Sequence, residues 1–209
     1  MTDPTAAAAA SGPRPRTDPT PTTDPGGDLP AVRESLRRLI VDKAVIRGRV
    51  TLSSGREADH YVDLRRITLD AQAAPLVGRV MLDLVSDLEV DAVGGLTLGA
   101  DPVATAMLHA AAAEGRRLDA FVVRKQGKAH GLQRRIEGPD VTGRRVLAVE
   151  DTSTTGGSVL LAVEALREAG AQVVAVAVVA DRDTGAREKV EQAGLAYRYA
   201  YDPVDLELA

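Results

Sequence analysis

Hydrophobic and polar residues follow two different rhythms along this chain. In the first, apolar side chains recur at helical spacing across residues 31–46, which predicts a helix. Two short strands are predicted around residues 50–52 and 60–63, on either side of the turn Ser53-Ser54-Gly55-Arg56, and a second helix covers about residues 71–88. This first part is expected to form a small N-terminal hood subregion.

The second rhythm is a repeated strand, loop and helix. It predicts an α/β fold in which a central, mainly parallel sheet is flanked by helices. Ligands of such sheets bind beyond the carboxyl ends of the strands, so the loops that start at Gly94, Arg124, Glu150 and Asp181 should meet at one edge. The predicted strands are residues 90–94, 120–123, 145–149, 172–180 and 197–201, and the helices are 102–113, 158–168 and 185–193.

The first 28 residues show no periodic apolar pattern. They are rich in Ala, Pro, Thr, Gly and Asp, so we expect residues 1–28 to be a disordered N-terminal extension and residues 29–209 to be one folded domain. The alanine run at 6–10 follows Asp3 rather than a basic segment, which argues against a signal peptide.

Composition narrows the classes of function. Hydrophobic residues make up 44% of the chain and aromatic residues only 2%, so the core must be built from Val, Leu, Ile and Ala. The net charge of −4 argues against a general nucleic-acid partner. The absence of cysteine excludes disulfides, thiol nucleophiles and Cys-based zinc sites. With no long apolar run to span a membrane, the expected location is the cytoplasm.

One segment carries the strongest chemical signal. A buried strand leads into two carboxylates, and hydroxyl and glycine residues follow before the next helix. Glycines let the backbone approach a ligand, and the free N–H groups of a helix start form a pocket for a phosphate dianion. An ordinary strand-to-helix turn with a polar N-cap is the alternative. The residues are Glu150, Asp151, Thr152, Ser153, Thr154, Thr155, Gly156, Gly157 and Ser158.

This segment resembles the signature of type I phosphoribosyltransferases, which use phosphoribosyl pyrophosphate (PRPP). The resemblance implies a type I phosphoribosyltransferase-like fold in which residues 152–158 bind the 5′-phosphate, while Glu150 and Asp151 address the ribose hydroxyls. It also implies Mg²⁺ as cofactor, held mainly through PRPP and water rather than by protein ligands.

A second segment is cationic. Arg124, Lys125, Lys128 and His130 fall within seven residues, and a solvated surface is the ordinary explanation of such a run. The spacing resembles the flexible catalytic loop of orotate phosphoribosyltransferases. That resemblance implies that all four bind the pyrophosphate end of PRPP, with Lys128 and His130 catalytic, and that the loop crosses a homodimer interface into a shared active site.

The acceptor base is predicted from Arg182. It directly follows the strand at 172–180, and a guanidinium can donate two parallel hydrogen bonds to the carboxylate that distinguishes orotate from uracil or purines. Pairing with Asp181 or Asp183 is the alternative. The family pattern adds Thr154 to the orotate site, and residues 52–56 with 61–65 are similar to its N-terminal segment.

The sequence thus predicts an enzyme that converts orotate and PRPP into orotidine 5′-monophosphate and pyrophosphate, a step of pyrimidine synthesis. Two positions depart from the pattern, because many relatives have lysine where this chain has Ser53 and Gly99. Two alternatives stay open: a phosphoribosyltransferase for another base, and a PRPP-sensing regulator without catalysis.

Overall fold

The computed structural model describes residues 26–51, 57–125 and 135–208. Within them a six-stranded sheet has the order β5-β4-β3-β6-β7-β8, and a separate two-stranded sheet pairs β1 with β2. In chain order the elements are α1 (Leu29–Lys43), β1 (Val45–Thr51), β2 (Glu57–Val62), α2 (Arg65–Thr68), α3 (Ala73–Leu84), β3 (Ala92–Leu96), α4 (Ala100–Ala113), β4 (Asp119–Val123), β5 (Ile136–Glu137), β6 (Arg145–Ser153), α5 (Gly157–Glu168), β7 (Gln172–Asp181), α6 (Ala186–Gln192) and β8 (Ala196–Tyr201).

The six-stranded sheet is parallel except for β5, which pairs antiparallel with β4. Alternate residues of β6 face opposite sides: Leu147 and Val149 join one hydrophobic cluster, and Val146 and Ala148 join the other. Helices α1, α3 and α4 cover the first side, and α5 and α6 cover the second. The predicted mainly parallel sheet flanked by helices is confirmed.

The N-terminal boundaries differ from the prediction. Helix α1 buries Val32, Leu36 and Ile40 at four-residue spacing and ends at Lys43. Val45 and Ile46 were predicted to continue the helix, but they begin strand β1 and pair with residues of β2. Periodicity alone could not separate them, because β-branched residues also suit a strand.

The hood is the antiparallel pair β1 and β2. It is joined to the end of α1 by a hydrogen bond from the Asp63 N–H to the Ala44 carbonyl (3.0 Å). The predicted helix at 71–88 is the shorter α3, which the short helix α2 precedes. Of the predicted extension, residues 1–25 lie outside the described residues, so its disorder stays a prediction.

Two predicted strand ends were wrong. Strand β3 continues through Gly94 and Gly95 instead of ending there, because both glycines stay paired with residues of β4. Glycine is needed at Gly95 because a β-carbon there would lie 2.7 Å from the Ala100 β-carbon. Strand β6 continues through Glu150 to Ser153, paired with β7. Along the described parts of the chain, no helix combines the length and apolar character that crossing a membrane requires.

The predicted meeting of loops at one edge of the sheet is confirmed. The Thr97 N–H donates to the Val123 carbonyl (2.9 Å), which joins the ends of β3 and β4. The Arg182 N–H donates to the Ser153 carbonyl (3.0 Å), which joins the ends of β7 and β6. This edge carries the candidate site.

Candidate active site

The turn between β6 and α5 presents an open helix N-terminus. Gly156 precedes α5 with φ 74°, a left-handed conformation that a β-carbon would strain, and no side chain caps the helix. The first hydrogen bond at this end runs from the Leu160 N–H to the Gly156 carbonyl (3.0 Å). The N–H groups ahead of it, together with the helix dipole, suit an anion such as a phosphate.

The hydroxyl groups of this segment fall into two sets. Thr154, Thr155 and Ser158 are exposed around the helix start. The hydroxyl oxygens of Thr152 and Ser153 are enclosed and have no hydrogen-bond partner among the described residues. The exposed set is therefore placed to meet a phosphate directly, while the enclosed set lies at the end of β6. The binding role predicted for each stays a prediction.

Glu150 and Asp151 form a close acid pair below the turn. The Glu150 side chain is 7% exposed. Burial, and then the charge of Asp151, raises the pKa of Glu150 to about 9. Burial also raises the pKa of Asp151, although hydrogen bonds from the Thr152 N–H (2.7 Å) and from Glu150 oppose that rise. The pair thus holds a proton at neutral pH, and Glu150 carries it.

Gly99, just before α4, lies directly against the acid pair. A β-carbon on Gly99 would collide with the Glu150 Oε1 atom and lie 2.6 Å from Asp151 Oδ1, and both atoms are the ends of side chains that can rotate. Asp101, in the first turn of α4, accepts a hydrogen bond from the Thr97 hydroxyl (2.7 Å), and its charge further raises the pKa of Glu150. Gly99 therefore lets the backbone before α4 pass close to the two carboxylates.

Helix α2, which follows the hood, brings a cation to the acid pair. Arg65 donates to Asp63 Oδ1 (2.9 Å), and its positive charge lowers the pKa of Asp151 against the effect of burial. The sequence placed Asp63 and Arg65 in a family-like segment without giving either a role. Their effect on the pKa of Asp151 was missed because about 90 residues of sequence separate them from that carboxylate.

Arg182 lies at the end of β7, partly buried. The predicted alternative, pairing with Asp181 or Asp183, is not what the structure shows: Asp181 Oδ1 accepts the Asp183 N–H (3.2 Å). The Arg182 Nη2 atom instead contacts the Nε2 atom of His60 on strand β2 (3.1 Å). Sequence analysis did not single out His60, and nothing in its local pattern signals this contact.

The cationic loop begins at the end of β4. The Arg124 N–H donates to the Arg135 carbonyl (2.7 Å) and its guanidinium to Glu137 Oε1 (3.3 Å), while Lys125 is exposed. Both residues lie at the same sheet edge as the acid pair. Lys128 and His130 lie outside the described residues.

The turns after β6 and β7 are in direct contact. The Thr184 hydroxyl, two residues after Arg182, donates to the Thr154 carbonyl (2.5 Å). Thr154 and Arg182, the two residues predicted to share the orotate, thus lie on two turns that touch, and their binding role stays a prediction. No group of three His, Asp or Glu side chains in the described chain could hold a metal ion.

Comparison with known proteins identifies the family. Residues 69–194 match the phosphoribosyl transferase domain family. An orotate phosphoribosyltransferase of Streptomyces avermitilis is 72% identical over 178 residues, covering 85% of this chain and 98% of that protein. One from Mycobacterium tuberculosis is 58% identical over 183 residues, covering 88% and 98%.

Solved structures agree with the sequence comparison. The crystal structure of the M. tuberculosis H37Rv orotate phosphoribosyltransferase in complex with PRPP shares 54% identity, a TM-score of 0.75 and coverage of 85% of this chain and 99% of that one. The complex of the same enzyme with Fe(III) dicitrate has a TM-score of 0.77 at 59% identity, with 84% and 98% covered. The fold, the turn after β6 and these relatives together establish that the chain belongs to the orotate phosphoribosyltransferase family.

Proposed function

We propose that this chain transfers the phosphoribosyl group of PRPP to orotate, giving orotidine 5′-monophosphate and pyrophosphate. The observation that carries the proposal is the position of Arg182. Its guanidinium is partly buried at the ligand edge, and its side-chain partner within the described residues is an uncharged imidazole rather than a carboxylate. A buried cation of this kind favours an anionic ligand.

PRPP is proposed to lie along the edge of the sheet. Its 5′-phosphate would accept hydrogen bonds from the N–H groups at the start of α5 and from the exposed hydroxyls of Thr154, Thr155 and Ser158. The ribose hydroxyls would donate to Asp151 and Glu150, next along the chain. The relative from M. tuberculosis has been crystallised with PRPP, which supports this choice of donor substrate.

Orotate is proposed to lie between the turns after β6 and β7. Arg182 would donate two hydrogen bonds to the orotate carboxylate, and Thr154 would contact the base from the other side. Uracil and the purine bases lack that carboxylate. Arg182 therefore gives the selectivity that separates this function from the alternative of another base.

The chemistry requires positioning and charge stabilisation. The bond between ribose C1′ and the pyrophosphate oxygen breaks, its electron pair leaves with pyrophosphate, and the N1 anion of orotate forms the new bond to C1′. Arg124, Lys125, Lys128 and His130 would stabilise the negative charge that grows on the leaving group. Asp151 would hold the ribose so that C1′ faces the base.

Magnesium is the proposed cofactor. It would be held mainly through PRPP and water, and the nearby Asp151 carboxylate could accept hydrogen bonds from its bound waters. When bound, Mg²⁺ would neutralise the pyrophosphate charge. Removing divalent ions with a chelator should abolish turnover, and adding Mg²⁺ back should restore it.

A homodimer with shared active sites is also proposed. An apolar groove of about 1030 Å³ runs between α2, α3 and α4, and the exposed side chains of Leu69 and Leu98 line it. Such a surface suits a second copy of the chain. Mixing Lys128→Ala with Asp151→Ala protein should restore activity if each site takes its loop from the neighbour, since a mixed dimer contains one intact site.

The decisive experiment compares substrates and variants. Purified protein with PRPP and Mg²⁺ should consume orotate, followed by its ultraviolet absorbance, and should leave uracil and adenine unchanged. Arg182→Ala should raise the KM for orotate about 10- to 100-fold, as expected when hydrogen bonds to a charged group are lost. Arg38→Ala, which removes an exposed arginine of α1 paired with Glu34, is the matched control.

Two results would overturn the proposal. PRPP binding without turnover of any base would favour the regulator, and turnover of uracil or a purine in place of orotate would favour the other transferase. A cytoplasmic location remains a prediction from sequence, which fractionation of cells expressing the chain would test.

A further inference from the structure

The contact between Arg182 and His60 fixes the state of the histidine. A guanidinium nitrogen can only donate a hydrogen bond, so the His60 Nε2 atom, 3.1 Å from Arg182 Nη2, must accept it. The imidazole is therefore neutral and carries its proton on Nδ1. Since His60 lies on β2 and Arg182 follows β7, this bond joins the hood to the ligand edge of the main sheet.

A neutral partner has a particular consequence for Arg182. A carboxylate in the place of His60 would hold the guanidinium equally well but would compete with an anionic substrate for its charge. The imidazole occupies Nη2 and leaves the full positive charge available. Asp181 and Asp183 adjoin it in the chain, but neither pairs with the guanidinium, and Asp181 Oδ1 accepts the Asp183 N–H instead.

We propose that His60 is a positioning residue that orients Arg182 for the carboxylate of orotate and, by titrating, makes orotate binding sensitive to acid. The inference rests on the function proposed above for Arg182. His60 itself acts through the arginine and is not assigned a contact with the reacting atoms.

The charges around His60 define the pH effect. Arg182 faces it from the end of β7, Arg47 is its cross-strand partner on β1, and Asp59 precedes it on β2. Burial, and then the charge of Arg182, lowers the pKa of His60, while Asp59 acts in the opposite direction. The bond is therefore intact at neutral pH. It is lost as the pH falls through a pKa below the ordinary value, because a protonated Nε2 would face another donor.

The test is the KM for orotate measured against pH in the full-length protein with PRPP and Mg²⁺. The wild type should show a rise in orotate KM as the pH falls below the ordinary pKa of histidine, with little change in the KM for PRPP. His60→Leu removes the acceptor and should raise the orotate KM about tenfold at neutral pH, the size of one hydrogen bond to a charged group.

Two further variants separate positioning from mere packing. His60→Gln keeps an acceptor oxygen that does not titrate, so it should retain a near-normal orotate KM and lose the rise in acid. Asp59→Asn removes the charge that favours protonation and should move the rise to lower pH. Thermal unfolding midpoints of all variants show whether each protein is folded.

The outcomes distinguish this inference from the function on which it rests. If Arg182→Ala raises the orotate KM while His60→Leu and His60→Gln both behave as wild type, His60 does not position Arg182 and the inference is wrong. Equal increases in the KM for orotate and PRPP in His60→Leu would also overturn it. If Arg182→Ala leaves the orotate KM unchanged, the assignment of Arg182 fails and the role of His60 fails with it.

Discussion

Two neighbouring turns of this molecule share one backbone plan and differ in their side chains. The turn from β6 to α5 and the turn from β7 to α6 each end in a left-handed glycine, Gly156 with φ 74° and Gly185 with φ 91°. Neither following helix has a side-chain cap. The two turns lie side by side because β6 and β7 are adjacent parallel strands.

The side chains give the two turns different tasks. The first turn carries hydroxyls after an acid pair, so it suits a phosphate and a ribose. The second carries Arg182, so it suits a carboxylate. Under the proposed function, the shared backbone would bring both ligands to this edge, and a few side chains would determine which ligand each turn accepts.

The largest expected effect separates the members of the acid pair. Asp151→Asn should lower kcat/KM for PRPP about 10- to 100-fold, because hydrogen bonds from the ribose to a charged acceptor are lost. Glu150→Gln should change it much less, since Glu150 already carries a proton and the amide resembles it. Steady-state kinetics with varied PRPP measure both.

The control for this pair is Asp83→Asn, on the exposed side of α3. Equal losses in the Asp151 and Glu150 variants would contradict the unequal protonation of the pair. An effect on the KM for orotate alone would mean that the two acids contact the base and not the ribose of PRPP.

Substitution of Gly156 and of Gly185 tests whether the two turns use the same backbone conformation to bind their ligands. A β-carbon at φ near 75–90° costs about 1–2 kcal/mol, and neither site adds a severe clash: the nearest atoms would be at 3.4 Å for Gly156 and 3.9 Å for Gly185. Gly156→Ala should raise the KM for PRPP about tenfold, and Gly185→Ala should do the same for orotate.

Gly143→Ala is the matched control for backbone strain. Gly143 has φ 71° with no atom within 4 Å of the added carbon, and it lies in the turn before β6, at the opposite end of that strand from the site. Its variant should lose stability without losing affinity for either substrate. If Gly156→Ala and Gly185→Ala raise both KM values alike, the turns act as one unit and the division of tasks is wrong.

The difference between the turns also explains what the sequence could predict. The turn after β6 is local: strand, acids, hydroxyls and glycines follow one another, so its structure and family were both predicted. The alternation of strands and helices was equally visible, because each element buries its own apolar face. Strand β6 was predicted to end at Val149, although pairing with β7 carries it to Ser153.

The turn after β7 depends on contacts that cannot be read from the sequence. His60 and Arg182 are 122 positions apart, and neither has a neighbour that reveals the other. Strand β1 of the hood begins at Val45, although the apolar spacing of the preceding helix continues by coincidence through that residue. The closeness of Gly99 to the acid pair likewise exists only in the folded chain, and the structure does not explain why glycine stands there in place of lysine.

A smaller effect is expected at the hydrogen bond that joins the turns. Thr184→Val removes the donor to the Thr154 carbonyl and should cost about 1 kcal/mol or less. Since the bond supports both turns, the KM values for PRPP and orotate should each rise a few-fold. Thr142→Val, which removes a hydroxyl that donates to Asp140 Oδ1 (2.8 Å) far from the site, should leave both unchanged.

The last prediction concerns stability, and it tests the acid pair in the absence of any substrate. The pKa of Glu150 is raised to about 9 in the folded protein. Between its ordinary value of 4.5 and about 9, the folded state keeps a proton that the unfolded chain has released. Stability must therefore fall as the pH rises through that window. Glu150→Gln stays neutral at every pH, so urea unfolding of the ligand-free variant should show a shallower fall than the wild type. Glu164→Gln, on the exposed side of α5, should keep the wild-type slope, and a Glu150→Gln protein that also kept it would show that Glu150 is ionised after all.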